Sequence, residues 1–201
     1  MEHLVNLIKD VGVYGYVILF IIIFFESFPL TFYLPGDSLL FTTGFLASQG
    51  YFSIAILLPT LFVASVLGYN FSYFMGHRLR NFIIKSNDKY WFKKKHLDYT
   101  KAFFDKYGDK TVIIGRFVPI VRSFSPTMAG SVHMHFKKFT FDSVMGGFIW
   151  TFGVTLLGYY LGKVIPEAEK YLTPIILVII LISLTPSVYE YWKSTKEEKN
   201  K

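Results

Sequence analysis

Apolar residues arrive in blocks of unequal length, and the lengths predict the elements. Residues 13–25 (VYGYVILFIIIFF) are apolar but only thirteen long. At about 1.5 Å per helical residue they reach roughly 20 Å, short of the ~30 Å hydrocarbon core of a bilayer. The run then meets Glu26, Pro29, Pro35, Gly36 and Asp37, and a second apolar piece follows from Ser38 to Ala47. Two half-length helices joined by a tip broken by proline and glycine predict a re-entrant hairpin over 13–48 rather than a span. Residues 3–12 ahead of it are short and weakly amphipathic, which predicts an interfacial helix.

The pattern recurs downstream. Residues 52–80 are long enough to cross and end on His77-Arg78-Leu79-Arg80, a cytoplasmic boundary by its charge. Residues 88–107 alternate lysine with Trp, Phe and Tyr. Phe92, Tyr99, Phe103 and Tyr107 fall near one helical face, which predicts an amphipathic helix on an anionic membrane surface. Residues 111–118 (TVIIGRFV) are again too short to span, and run into Pro119, Arg122, Pro126 and a small-residue stretch from Met128 to Val132. A second re-entrant hairpin over 109–133 follows from that. Residues 139–162 and 172–192 cross, and Lys193, Lys196, Lys199 and Lys201 then place the C-terminus in the cytoplasm.

The expected fold is therefore an all-α polytopic membrane protein, one membrane domain over 1–201. It has two opposed re-entrant helical hairpins in an inverted repeat, three spanning helices and amphipathic interfacial helices. The intervening span has odd parity, which puts the hairpins on opposite faces and the N-terminus outside. The repeat is architectural, without strong residue-level repetition.

Charge sharpens this picture. Ten Lys/Arg and four Asp/Glu lie between Arg78 and Lys110, a net +6 of the whole chain's +7, whereas residues 1–77 hold one lysine against four acids. Such asymmetry fits one loop held in the cytoplasm. Nucleic acid binding is disfavoured because long apolar segments flank the basic run. With no cysteine in the chain, disulfides, thiol chemistry and Cys-ligated zinc are excluded. The N-terminal apolar run lacks a basic lead and an Ala-x-Ala site, so it does not read as a cleavable signal.

Four ionisable residues fall where the chain should be inside the bilayer: Glu26 and Asp37 at one tip, Arg116 and Arg122 at the other. Each costs about 2.5–3.5 kcal/mol at mid-depth on insertion scales, a cost that opposite charges offset if the hairpins face each other. Arginine suits a phosphate, because its planar fork donates parallel hydrogen bonds to two oxygens. A carboxylate at low dielectric can carry a proton. The combination predicts a proton-coupled anion carrier, with Arg116 and Arg122 on the anion and Glu26 and Asp37 on the proton. Local structure competes for two of them: Asp37 sits where a helix N-cap would, and Arg116 where it would close a half-helix.

Weaker candidates surround these four. Asn70 and Tyr73 could bond a headgroup or simply bond across helices. His133 and His135 flank Met134 without a third ligand nearby, so interfacial packing is the reading against metal ligation, and no metal or cofactor is expected. Gly158-x-x-x-Gly162, with Gly146, Gly147 and Gly153 upstream, predicts close helix approach. No enzyme signature of the His-Glu-x-x-His or Gly-x-Ser-x-Gly kind occurs, and the chain is not expected to be an enzyme.

The runs FFESFPLTFYLPGDSLLFTTGFLA, GRFVPIVRSFSPTMAGSVHM and GGFIWTFGVTLLGYYLG resemble the DedA family, also called the VTT or SNARE-associated Golgi protein family. The resemblance covers about residues 20–162. It implies two opposed re-entrant hairpins plus spanning helices, in the cytoplasmic (inner) membrane of a bacterium. Its bacterial members are implicated in lipid translocation, membrane-potential maintenance and drug tolerance. LPGDSLLF and GRFVPIVRSFSPTMAG look similar to the branch that recycles undecaprenyl phosphate.

By this resemblance Glu26 matches the family's critical acid before the first tip, Asp37 the acid after its Pro-Gly, and Arg116 and Arg122 the arginines of its Gly-Arg-Phe-x-Pro-x-x-Arg motif. Arg80 departs from the pattern, standing where many members have glycine. The implied activity is flipping of undecaprenyl phosphate for carrier-lipid recycling, driven by the proton-motive force. The alternatives are a broader phospholipid flippase or scramblase, for phosphatidylethanolamine for instance, and a proton-coupled ion or drug carrier. The implied partners are an anionic isoprenoid lipid or phospholipid, the membrane, and protons or sodium. A homodimer is left open.

Overall fold

A computed structural model describes residues 2–29, 36–78 and 94–164. Residues 30–35 of the first tip, 79–93 of the basic stretch, and the expected span 172–192 with its lysine tail lie outside the described residues. Those described form seven α-helices and no strand: α1 (Glu2–Glu26), α2 (Gly36–Ser48), α3 (Ile54–Arg78), α4 (Lys94–Tyr107), α5 (Thr111–Ile114), α6 (Pro119–Ser131) and α7 (Phe136–Val164). Residues 3–12 and 13–25, expected as separate elements, run together as α1, since no proline or paired glycines interrupt them.

Among the described residues two helices, α3 and α7, are long and apolar enough to cross a membrane. Their 25 and 29 residues correspond to about 38 and 44 Å. Their outward faces are apolar as well as their inward ones. On α3 the buried positions are Leu57, Leu61, Ala64, Ser65, Gly68, Tyr69, Ser72, Tyr73 and Gly76, spaced three or four apart along one face. The exposed face carries Val63, Leu67, Phe71 and Phe74. On α7, Ser143, Trp150 and Thr151 are buried while Phe141, Phe148, Ile149 and Leu157 are exposed. Small and hydroxylated residues share the inner faces with Leu57, Leu61, Tyr69, Tyr73 and Trp150, while large apolar residues also cover the outer faces, as in helices that pack in lipid.

The second broken segment shows how the chain is interrupted. Val118, just before Pro119, is extended (φ −116°, ψ 109°), because the proline ring crowds the α conformation of its predecessor. That residue separates the 3₁₀ turn Gly115–Phe117 from α6, which starts with Pro119 in its first turn. α6 packs against that turn and against α4.

The described residues fall into two compact units. One contains α1, α3 to α6, and α7 as far as Gly153; the other contains α2 and α7 from Val154. In the first, glycines set the helix separation: a Cβ on Gly68 would overlap the Phe24 carbonyl, one on Gly76 the Thr127 carbonyl, and one on Gly130 the Tyr73 carbonyl. Ser72 and Thr127 share a buried hydrogen bond of 2.8 Å at the same α3–α6 contact. In the second unit, Gly44 faces the Thr155 carbonyl, Gly158 the Phe41 carbonyl and Gly162 the Ser48 hydroxyl. Gln49 Nε2 donates to the Gly162 carbonyl at 2.9 Å. The close approach expected at Gly158-x-x-x-Gly162 is thus made against α2. The α2 helix closes on Gly50, whose φ of 87° is open to glycine at little cost.

Candidate functional site

The first unit gathers charge in its interior. Glu26, the last residue of α1, and Arg122, in the first turn of α6, are 2% and 4% exposed. The Glu26 carboxylate and the Arg122 guanidinium form an ion pair of 2.5 Å. The Arg122 guanidinium also lies 5.0 Å from the Trp150 ring of α7, within cation–π range.

Arg116, in the 3₁₀ turn, is 1% exposed. Its Nη1 donates to Ser65 Oγ at 2.5 Å and its Nη2 to the Ser143 carbonyl and hydroxyl at 3.1 Å each. The guanidinium stacks on Tyr69, 3.6 Å above the ring centre. Room for it comes from Gly146 and Gly147, where a Cβ would stand within 3.4 Å of guanidinium atoms. Every hydrogen-bond and ring partner of Arg116 among the described residues is neutral, the Glu26 carboxylate acting on it only through space, and its Nε has no hydrogen-bond partner among them.

Tyr69 connects the two arginines. Beneath Arg116 it offers a ring, and to Arg122 a hydroxyl: its OH donates to the Arg122 carbonyl at 2.9 Å. In a regular helix that carbonyl would accept from the N–H four residues on, but the residue there is Pro126, which has none. The proline leaves an orphan acceptor inside α6 and the tyrosine satisfies it.

The structure therefore brings Glu26 against Arg122 and buries Arg116 in the same unit. Asp37 belongs to the second unit, where it is exposed in the first turn of α2, a position that a carboxylate stabilises through the helix dipole. Asn70 and Tyr73 bond across helices: Asn70 Oδ1 accepts from Thr140 at 2.9 Å, and the Tyr73 hydroxyl donates to the Met134 carbonyl. Ser65, Tyr69, Ser143 and Trp150 were not singled out in the sequence. The signal for the first two was there, since Ser65 and Tyr69 are four apart on the glycine-bearing face of α3. No group of three or more His, Asp and Glu gathers among the described residues as a metal centre would need.

A family model for the VTT domain matches residues 34–160. Protein DedA of Escherichia coli (strain K12) is 37% identical over 191 residues, covering 94% of this chain and 87% of the relative. An uncharacterised membrane protein of Mycobacterium tuberculosis (strain ATCC 25618 / H37Rv) is 39% identical over 197 residues, covering 94% and 85%. Inner membrane protein YqjA of Escherichia coli (strain K12) is 34% identical over 192 residues, covering 89% and 84%. No solved structure matches the chain.

Proposed function

We infer the function of this chain from a first premise, that it belongs to the VTT-domain (DedA) family, and from a second, the buried guanidinium of Arg116. It is a transporter of the bacterial inner membrane that carries the phosphate headgroup of an anionic lipid across the bilayer. Undecaprenyl phosphate is the substrate implied by the resemblance of the GRFVPIVRSFSPTMAG stretch to the branch that recycles it. The isoprenoid tail stays in lipid and the headgroup crosses between two re-entrant hairpins.

The observation that carries this reading is the set of partners around Arg116. A guanidinium stays charged at any relevant pH, and burying it without a counter-ion is costly. Here the described partners are two hydroxyls, a carbonyl and an aromatic face. Such a site is completed by an anion, and a phosphate monoester matches the fork of an arginine.

Glu26 supplies the coupling. While ionised it holds Arg122; once protonated it accepts less strongly and frees Arg122 to join Arg116 on the phosphate. Asp37 serves as a second proton acceptor. Proton binding and phosphate capture then favour the same state, as linkage between two ligands requires.

The test is headgroup flipping by the full chain in proteoliposomes with an imposed pH gradient. Flipping of undecaprenyl phosphate that R116K and E26Q both sharply reduce supports the reading, and full transport by both variants overturns it. Competition by phosphatidylethanolamine separates the broader phospholipid flippase. A solute-dependent pH change without added lipid would point to the ion or drug carrier.

A further inference from the structure

Outside the arginine site, the first unit holds a second cluster of chemically capable side chains. His77 is in the last turn of α3 and His133 follows the end of α6. Both are exposed, and their Nδ1 atoms are 3.0 Å apart. The ring centres are 4.6 Å apart with the planes tilted by 58°.

The packing that makes this meeting is specific. Gly76 and Gly130 let the α3 and α6 backbones close to a distance at which a Cβ on Gly130 would meet the Tyr73 carbonyl and the His77 amide. His133 then turns the chain with φ 58°. Its N–H donates to the Gly130 carbonyl at 3.2 Å and the N–H of Met134 to the Ala129 carbonyl at 3.0 Å. This is the left-handed helix-closing position that glycine usually occupies. An imidazole held there in the left-handed region, and aimed at a second imidazole, is a backbone outlier of the kind that gathers at functional sites.

We propose that His77 and His133 form a binding site for one divalent transition-metal ion of the zinc and copper class, with solvent completing the coordination. Imidazole nitrogens bind such ions at about 2.0–2.1 Å, so two ligands subtending 90–110° stand roughly 2.9–3.4 Å apart. The observed separation lies inside that range. The exposure of both rings leaves the ion an open path and room for water. Bound there, the ion ties the end of α3, which carries Ser65 and Tyr69, to the end of α6, which carries Arg122. That makes it a clamp on the two helices of the arginine site. The site itself does not depend on what the protein transports.

The probes are Zn²⁺ alone, followed by calorimetry, and Cu²⁺ alone, followed by electron paramagnetic resonance. The full chain is held in lipid nanodiscs, without a histidine tag and stripped of metal. The wild type should take up one ion per chain, with two nitrogens coupled to the copper. H77A and H133G should each weaken binding about tenfold or more and leave one coupled nitrogen. H135A should bind as the wild type does. Glycine is the choice at 133 because it accepts the φ of 58°, so H133G keeps the turn and removes the imidazole. Thermal unfolding of both variants checks that they fold. Saturable binding unchanged in H77A and H133G overturns the proposal. So does no binding by the wild type, which would leave a hydrogen-bonded imidazole pair only.

Discussion

The Tyr69 hydroxyl donates to the carbonyl of Arg122, and it can do so because Pro126 has left that carbonyl without its helical partner. The same ring supports the Arg116 guanidinium. One side chain of α3 therefore fixes the backbone that presents one arginine and the charge of the other. The proline inside α6 and the buried guanidinium of the 3₁₀ turn thus share one partner, with Ser65 and Ser143 completing the bed of the guanidinium.

Tyr69→Phe removes the hydroxyl and strands the Arg122 carbonyl, at an expected cost of about 1–3 kcal/mol. Pro126→Ala restores an N–H at the right place in α6. In the P126A background the same Tyr69→Phe change should therefore cost under about 1 kcal/mol. Unfolding of the four proteins in detergent as a double-mutant cycle checks this; equal losses in both backgrounds would refute the link between proline and tyrosine.

Glu26→Ala leaves the Arg122 charge buried without this carboxylate, and should destabilise the chain by about 3–5 kcal/mol. Adding Arg122→Ala removes the charge so exposed, and the double variant should be more stable than E26A alone. The measurement is again an unfolding cycle, and strictly additive losses would argue against the ion pair as a stabilising contact.

Arg116→Lys keeps the charge but cannot reproduce the fork that reaches Ser65 and Ser143 together. Each hydrogen bond to a charged group contributes about 1.5–3 kcal/mol. Headgroup transport in proteoliposomes should fall about ten- to a hundredfold while the helical circular dichroism stays unchanged. Ser143→Ala should give a smaller loss, because a backbone carbonyl still accepts from Nη2.

Glycine positions should divide by what stands opposite them. Gly76→Ala and Gly130→Ala push a methyl group into a backbone carbonyl, and each should cost about 1–3 kcal/mol or more. Gly153→Ala points into open space within a helix and should stabilise by about 0.5–1 kcal/mol. Melting temperatures of the three variants check the contrast, and a destabilised G153A would overturn it.

Much of this protein was legible in the order of its residues. Block length and proline placement marked α3 and α7 as long apolar helices and the stretches after Glu26 and Phe117 as breaks, because helix rise and proline stereochemistry are local properties. The arginines and acids stood out because charge is conspicuous in an apolar chain, and motif identity led to the family. Local rules could not say which acid meets which arginine. Glu26 meets Arg122, and Asp37 falls in another unit. They could not identify Ser65 and Tyr69 as the bed of Arg116 either, or join His77 to His133. Those pairings depend on how near two helices come and at what rotation. Glycine faces packing on backbone carbonyls decide that, and the contact exists only once both helices are in place.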